Sequence, residues 1–195
     1  MTLRSLALGT ALALSGLPAL ADDIIHMATS FQIRSMDPVR QGFWMQEFGV
    51  AELLMKFEPD GTNRPWLLES LTAKDDLTWV GTLRDGMTFQ NGKRVDADAV
   101  LAAINLQLAI SDSAKGAVPE GTLFSKTGDL EITISTMAPW PELPGVLSNE
   151  SVFLIYDAAI VEAAGQDWAQ LVGAGIYTGP YAVTALSGDR METQR

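Results

Sequence analysis

The 195 residues contain no cysteine, so the chain forms no disulfide, offers no thiolate, and rests its stability on an apolar core. Histidine is nearly missing as well. The single His26 leaves too few imidazoles for a Ser-His-Asp triad or a two-histidine metal site, and neither a G-x-S-x-G elbow nor an H-E-x-x-H helix occurs. Basic residues are scarce: 13 Lys and Arg stand against 24 Asp and Glu, a formal net charge of −11. That balance argues against nucleic acid and against an anionic membrane surface, both of which are recognised by clustered positive charge. The carboxylate pairs Asp22-Asp23, Asp75-Asp76 and Asp96 with Asp98 fall at turns and helix starts, where such groups serve as caps rather than as an acid/base couple. No pattern asks for a cofactor or a resident metal ion.

The N-terminus reads as a secretory signal peptide over residues 1–21. Arg4 supplies a weakly positive start, Leu6 to Leu17 an apolar stretch closed by Gly16 and Pro18, and Ala19-Leu20-Ala21 an A-x-A cleavage site. The apolar run is shorter than the ~20 residues of a membrane-spanning helix, and Asp22-Asp23 follows at once. Cleavage after Ala21 places the mature chain in the periplasm. Removal of the signal takes away only Arg4 among the charged residues, leaving 12 basic against 24 acidic.

The segment Leu77 to Leu106 is the most ordered in its signals. Leu77, Trp79, Gly81 and Leu83 alternate with Thr78, Val80 and Thr82 as a half-buried strand does. Arg84-Asp85-Gly86 reads as a turn, Phe89 restarts extended structure, and Asn91-Gly92 allows a second reversal. Asp96 is the expected N-cap of a helix whose Val100, Ala103, Ile104, Gln107 and Leu108 form one mostly apolar stripe. Elsewhere Ile24 to Ser30 reads as extended, and Gln41 to Met55 as an amphipathic helix with Trp44, Phe48, Ala51 and Met55 stacked at four-residue spacing. Glu58 to Gly61 is a turn, Leu130 to Ile134 a strand, Pro139 to Pro144 a constrained loop, and Asp157 to Ala164 a short helix ending at Gly165. The segment Ser111 to Gly128, rich in Ser, Gly, Lys and Thr, reads as a loop. Tyr181 to Leu186 is a strand, Ser187-Gly188-Asp189 a turn, and Met191 to Arg195 the opening of its partner. The content is mixed α/β, without internal repeats or a flexible linker.

Four pieces in fixed order carry a resemblance. Trp79, Leu83, Arg84, Gly86, Phe89, Gly92, Ala97 and Val100 occupy the places of a W-x-x-x-L-R-x-G-x-x-F-x-x-G run leading into an A-x-D-V helix start. Met36-Asp37-Pro38, Arg64 to Ser70 and Thr178-Gly179-Pro180-Tyr181 stand where an L-D-P, a proline-led L-A-E-S and a G-T-G-P-Y run would stand. Together they resemble the extracytoplasmic solute-binding proteins of the peptide/nickel class of ABC transporters. Ala99 replaces a usual Asp, Gln90-Asn91 a common His-Asp, and Tyr177 a usual Gly. The resemblance implies a two-lobe periplasmic-binding-protein fold. Residues 22–195 would be an incomplete first lobe, with the second lobe absent. It also implies a monomer when complete, and a function of capturing a peptide-like solute, a metal chelate, a sugar or an opine for an ABC permease, without catalysis.

In proteins of that class the loop after the first strand faces the cleft between the lobes. Phe31, Gln32, Trp44, Met45 and Trp140 are therefore the candidate wall residues, each with ordinary core packing as its competing explanation. Trp79 and Tyr181 are read as core, and Arg84 as tying its turn to a neighbouring carboxylate or carbonyl. Two other functions remain open: a periplasmic sensor or protein-binding module, and a periplasmic hydrolase, for which no nucleophile and base are found.

Overall fold

The computed structural model describes residues 26–165, 167–188 and 190–195, so the expected signal peptide at 1–21 lies outside the described residues. The chain falls into two units, Met1–Ser30 and Phe31–Arg195. In the first, residues 26–30 are irregular and exposed, and the expected strand does not form over them. Met27 is 63 % exposed, so the burial that holds one face of a strand down is missing, and His26 lies in exposed irregular chain.

Within Phe31–Arg195, helix α1 (Gly42–Glu47) is far shorter than the helix expected from 41 to 55. Gly49 takes φ +67°, and the Val50 N–H turns back to the Met45 carbonyl at 2.8 Å, a left-handed cap that ends the helix. Beyond the cap the chain runs extended. The Trp66 and Leu67 N–H groups donate to the Leu54 and Leu53 carbonyls, and strand β1 (Met55–Phe57) pairs with β2 (Asn63–Pro65) through the expected turn at Glu58 to Gly61.

The central layer is an antiparallel sheet in the order β3-β4-β6-β5, built from β3 (Leu68–Asp75), β4 (Thr78–Leu83), β5 (Leu123–Gly128) and β6 (Glu131–Ser135). Alternation in β6 is as expected, with Ile132 and Ile134 fully buried between half-exposed neighbours. In β4 the buried positions are Gly81 and Leu83, while Leu77 is 41 % exposed just before the strand. Gly81 is a packing requirement: a Cβ there would stand 3.1 Å from Leu68 Cδ2 and 3.3 Å from Ile132 Cγ1. Arg84 ties the following turn as expected, its Nε donating to the Trp66 carbonyl at 2.7 Å.

The second strand expected at Phe89 is reduced to one bridge, Thr88 with Arg94, and β4 pairs with β3 and β6 instead. The cause is competition for backbone groups. The Gln90 N–H donates to the Tyr177 carbonyl and the Asn91 N–H to the Gly175 carbonyl, each at 2.8 Å, so the segment is held by the chain before β7 (Ala182–Ser187). Helix α2 (Ala97–Ile110) then begins as expected. Asp96 accepts the Ala99 N–H at 3.0 Å, and Val100, Ala103, Ile104 and Gln107 are buried.

The loop expected at 111–128 is not a loop. The Ser111 hydroxyl accepts the Ala114 N–H and starts α3 (Asp112–Ala117), and 123–128 forms the edge strand β5. Pairing with β6 overrides a composition that favours turns. The constrained loop around Pro139 leads into a single turn, α4 (Leu143–Val146), and α5 (Ala158–Ala164) ends at Gly165 with φ +59° as expected. A 3-10 turn spans Trp168–Leu171, and β7 pairs with β8 (Arg190–Gln194). Trp79 is half-buried and packs against the core as expected. One core expectation needs correction: Tyr181 is 38 % exposed, its ring lying over Gly49 at the surface, where a Cβ on Gly49 would come within 3.2 Å of Tyr181 Cδ2.

Three distant segments meet at one clasp. The Gln90 side-chain amide donates to the carbonyls of Val50 at 3.0 Å, and of Gly179 and Tyr181 at 2.9 Å. The Gly179 N–H donates to Val50, and the Tyr181 N–H to Gly49. Beside it Lys93 Nζ and Asn91 Nδ2 reach the buried Asp157 carboxylate at 2.6 and 3.2 Å.

Candidate functional site

The five wall candidates do not converge. Trp44 and Met45 have no exposed surface, and Trp140 is 5 % exposed; all three belong to the core. Phe31 is half-buried and meets Phe43 edge-on at 5.0 Å and Phe48 at 6.4 Å. Gln32 is exposed, its Oε1 accepting Arg34 Nε and Nη2 at 3.1 and 2.8 Å. Exposure alternates from Phe31 to Arg34, so Phe31 and Ile33 pack inward while Gln32 and Arg34 face solvent. Phe43, 39 % exposed on the outer side of α1, is the aromatic that accompanies Phe31. The same helix turn that buries Trp44 and Met45 presents it.

A second surface was not foreseen. The end of α2, the adjacent face of α5, the 3-10 turn and the 37–40 loop enclose an open groove of about 590 Å³. Leu106 and Ile110 line it from α2, Glu162 from α5, Trp168 from the 3-10 turn, and Asp37 and Arg40 from the loop. Asp37 is 5 % exposed, and its Oδ1 accepts the N–H groups of Val39 at 2.9 Å and Arg40 at 3.3 Å. The Met-Asp-Pro triplet marked Asp37 in the sequence. No sequence signal marks the others, because they come from segments that only the fold brings together.

Behind Asp37 lies a buried polar cluster. The Tyr156 hydroxyl donates to Gln107 Oε1 at 2.7 Å, and the Tyr177 hydroxyl to the Met36 carbonyl at 3.2 Å. Burial first, and the Asp37 charge in addition, push the Tyr156 phenol up; for Tyr177, burial, Tyr156 and Asp37 do the same. Both remain protonated donors. Gln107 Nε2 is buried and makes no hydrogen bond. Removing the remaining partner by Tyr156→Phe leaves the Gln107 amide without its one good bond, at a cost of about 1–3 kcal/mol. Tyr156→Phe with Gln107→Leu removes both polar ends and is expected to cost less than Tyr156→Phe alone. Urea denaturation of the three proteins checks this, and a double variant less stable than the single one contradicts it.

At Glu52, beside the clasp, desolvation by burial lifts the carboxyl pKa above its ordinary value. Thr178 and Trp66 offset part of that rise, although the buried Thr178 hydroxyl makes no hydrogen bond of ordinary geometry. A raised carboxyl means that the folded state holds its proton more tightly than the unfolded chain does. Its contribution is fully present below the ordinary carboxyl range and declines as pH rises through the raised value. Glu52→Gln is therefore expected to gain stability relative to the parent as pH moves from 4 to 7. Equal differences at both pH values, measured by thermal unfolding, would contradict the assignment.

The groove and the aromatic surface offer charge, stacking and apolar area, which suit recognition of a small molecule. Among the described residues no three His, Cys, Asp or Glu side chains cluster as a metal site would require.

Comparison with known proteins agrees with a recognition role. Residues 62–193 match the family described as bacterial extracellular solute-binding proteins, family 5 Middle. The nickel-binding periplasmic protein of Escherichia coli K12 is 32 % identical over 142 residues, which cover 63 % of this chain and 26 % of that protein. The crystal structure of NikA from Staphylococcus aureus in complex with Ni(L-His)2 superposes with a TM-score of 0.69 at 25 % identity, over 83 % of this chain and 33 % of that one. A nickel ABC transporter structure from Bacillus halodurans gives 0.68 at 27 % identity, over 85 % and 33 %. The chain spans about a quarter of the length of the curated relatives it matches. With the family match running through two thirds of its residues, from β2 to β8, the chain belongs to the bacterial extracellular solute-binding proteins of family 5.

Proposed function

We propose that the protein is the substrate-binding component of an ABC importer, which captures a small polar solute in the periplasm and hands it to a membrane permease. The family match over residues 62–193 is the observation that carries this reading. Residues 1–21 act as a cleaved signal, and residues 22–195 form part of the first of two lobes. Solute closes the lobes by binding the closed state more tightly than the open one, and no bond is made or broken. Phe31 and Gln32, joined by Phe43, stand as the cleft-facing candidates, and Trp44, Met45 and Trp140 are buried core residues. Relatives at 25–32 % identity include nickel proteins, one of them holding Ni(L-His)2, which makes a metal chelate the first solute to test and a peptide the second.

Uptake by a strain lacking the gene provides the test. Loss of uptake of radiolabelled nickel with histidine, or of labelled oligopeptides, restored by the intact gene, is expected. Unchanged uptake of every solute tried, with loss of a hydrolytic activity from the periplasm instead, would contradict it.

A further inference from the structure

Of the four asparagines only Asn91 precedes a glycine. Asn-Gly is the pair whose side-chain amide cyclises most readily, because glycine puts no Cβ in the way of its own nitrogen. Asn91 is exposed, and a Cβ at Gly92, where φ is +85°, would meet nothing within 4 Å. Space and solvent leave the bond open to reaction, and hydrogen bonds close it. The Gly92 N–H, on the nitrogen that attacks in such a cyclisation, donates to the Phe89 carbonyl at 2.9 Å. Asn91 Oδ1 accepts the Lys93 N–H at 3.0 Å, and Nδ2 donates to Asp157 Oδ2 at 3.2 Å. Asp157 is fixed in turn, 4 % exposed and with Lys93 Nζ at 2.6 Å from its other oxygen. From across the fold the Gly175 carbonyl takes the Asn91 N–H at 2.8 Å, in a fit so close that a Cβ on Gly175 would stand 2.9 Å from that nitrogen. Nucleophile and electrophile are thus pinned by separate partners.

We propose that Asn91 is a site of spontaneous deamidation that works as a one-way latch, kept as the amide while the 89–93 turn is docked on Asp157 and Gly175 and converted once the turn comes free. In the reaction the Gly92 amide gives up its proton to hydroxide, its nitrogen bonds to Asn91 Cγ, and the Cγ–Nδ2 bond breaks to release ammonia. Water then opens the succinimide ring at either carbonyl, giving aspartate or, with the main chain rerouted through the side chain, isoaspartate. Amide and water become carboxylate and ammonium, with no oxidant or cofactor. Neither product docks again. The donor to Asp157 is replaced by a second carboxylate beside a buried one, which is unfavourable. Isoaspartate also lengthens the main chain by one methylene between the two N–H groups that bond to Gly175 and Phe89. The segment that begins at Gly175 runs on to Gly179 and Tyr181 of the clasp, so conversion loosens the clasp from this side. The latch is independent of the solute the protein carries.

Peptide mapping by mass spectrometry of the full-length protein, incubated at pH 8 with and without urea, tests it. Asn91 converts at least tenfold more slowly in the folded protein than in the urea-unfolded chain, where it outpaces Asn149, which precedes glutamate. Asp157→Ala speeds conversion in the folded protein at least threefold, while circular dichroism and Tm report an intact fold. Should that variant not fold, the parent decides alone: its conversion rate rises with urea already below the unfolding midpoint, as local release of the turn requires. Asn91→Asp, the mimic of one product, lowers the urea midpoint and strips amide-exchange protection from residues 90 and 91, and Asn91→Ala, which removes the donor without adding a charge, does so less. Equal conversion rates in the folded and unfolded protein overturn the inference, as does an Asn91 that survives in urea. An Asp157→Ala protein that folds and keeps the parent's rate overturns it too, and so does converted protein that refolds to the parent's midpoint.

Discussion

Gly179→Ala is expected to destabilise the full-length protein by about 3–5 kcal/mol, the sum of an overpacking cost and weakened hydrogen bonds. A Cβ at this position would lie 2.6 Å from the Val50 carbonyl carbon and oxygen, and closer still to the Gly49 oxygen. All three are backbone atoms, so no side-chain rotation relieves the contact. The two segments must separate, which loosens the Gly179 N–H bond to Val50, the Tyr181 N–H bond to Gly49, and the Gln90 bonds to Val50, Gly179 and Tyr181. Gly116→Ala is the control. That glycine lies in α3 with nothing within 4 Å of its would-be Cβ, and the substitution is expected to be neutral or to stabilise by up to about 1 kcal/mol. The urea midpoint reads both changes. A loss under 1 kcal/mol for Gly179→Ala would show that the clasp is looser than the contacts describe.

Gln90→Leu follows, with an expected loss of about 2–4 kcal/mol. The amide nitrogen serves three carbonyls from two segments, and leucine fills a similar volume while removing that donor, which leaves the Val50 oxygen only the Gly179 N–H. The cost is expected to shrink against a Gly179→Ala background, because the first substitution has already parted the surfaces that Gln90 holds. Strict additivity of the two losses would contradict the shared clasp. So would a Gln90→Leu protein within about 0.5 kcal/mol of the parent.

Local chemistry made several elements legible in the sequence. Asp96 followed by an apolar stripe foretold α2 and its cap, Ile132 and Ile134 foretold β6, and the glycines at 86, 92 and 165 take the positive φ that their turns require. Where the reading failed, a distant partner decided. The four-residue spacing from Trp44 to Met55 is helical, but Gly49 permits an early cap, and Leu53 and Leu54 gain backbone partners at 66–68 that a helix would forgo. Lys126 and Thr127 look like loop residues until β6 supplies a ladder. Phe89 looks like a strand until Tyr177 and Gly175 claim the next two N–H groups.

The site was less legible than the fold. Aromatic residues near predicted loops could be named, yet whether a given ring faces solvent depends on a helix that turned out six residues long, in which Phe43 points out and Trp44 in. The groove was invisible for a different reason. Its charged residues sit on the 37–40 loop and α5, its apolar ones on α2, the 3-10 turn, α5 and the same loop, and no spacing rule links segments so far apart.

Native mass spectrometry of the full-length protein isolated from the periplasm bears most directly on the account, since a receptor holds its solute and an enzyme changes it. The expected result is one small molecule bound at unit stoichiometry and released with unaltered mass on denaturation. Recovery of a protein that carries nothing under any growth condition, or that releases a hydrolysed fragment of a supplied compound, would contradict it.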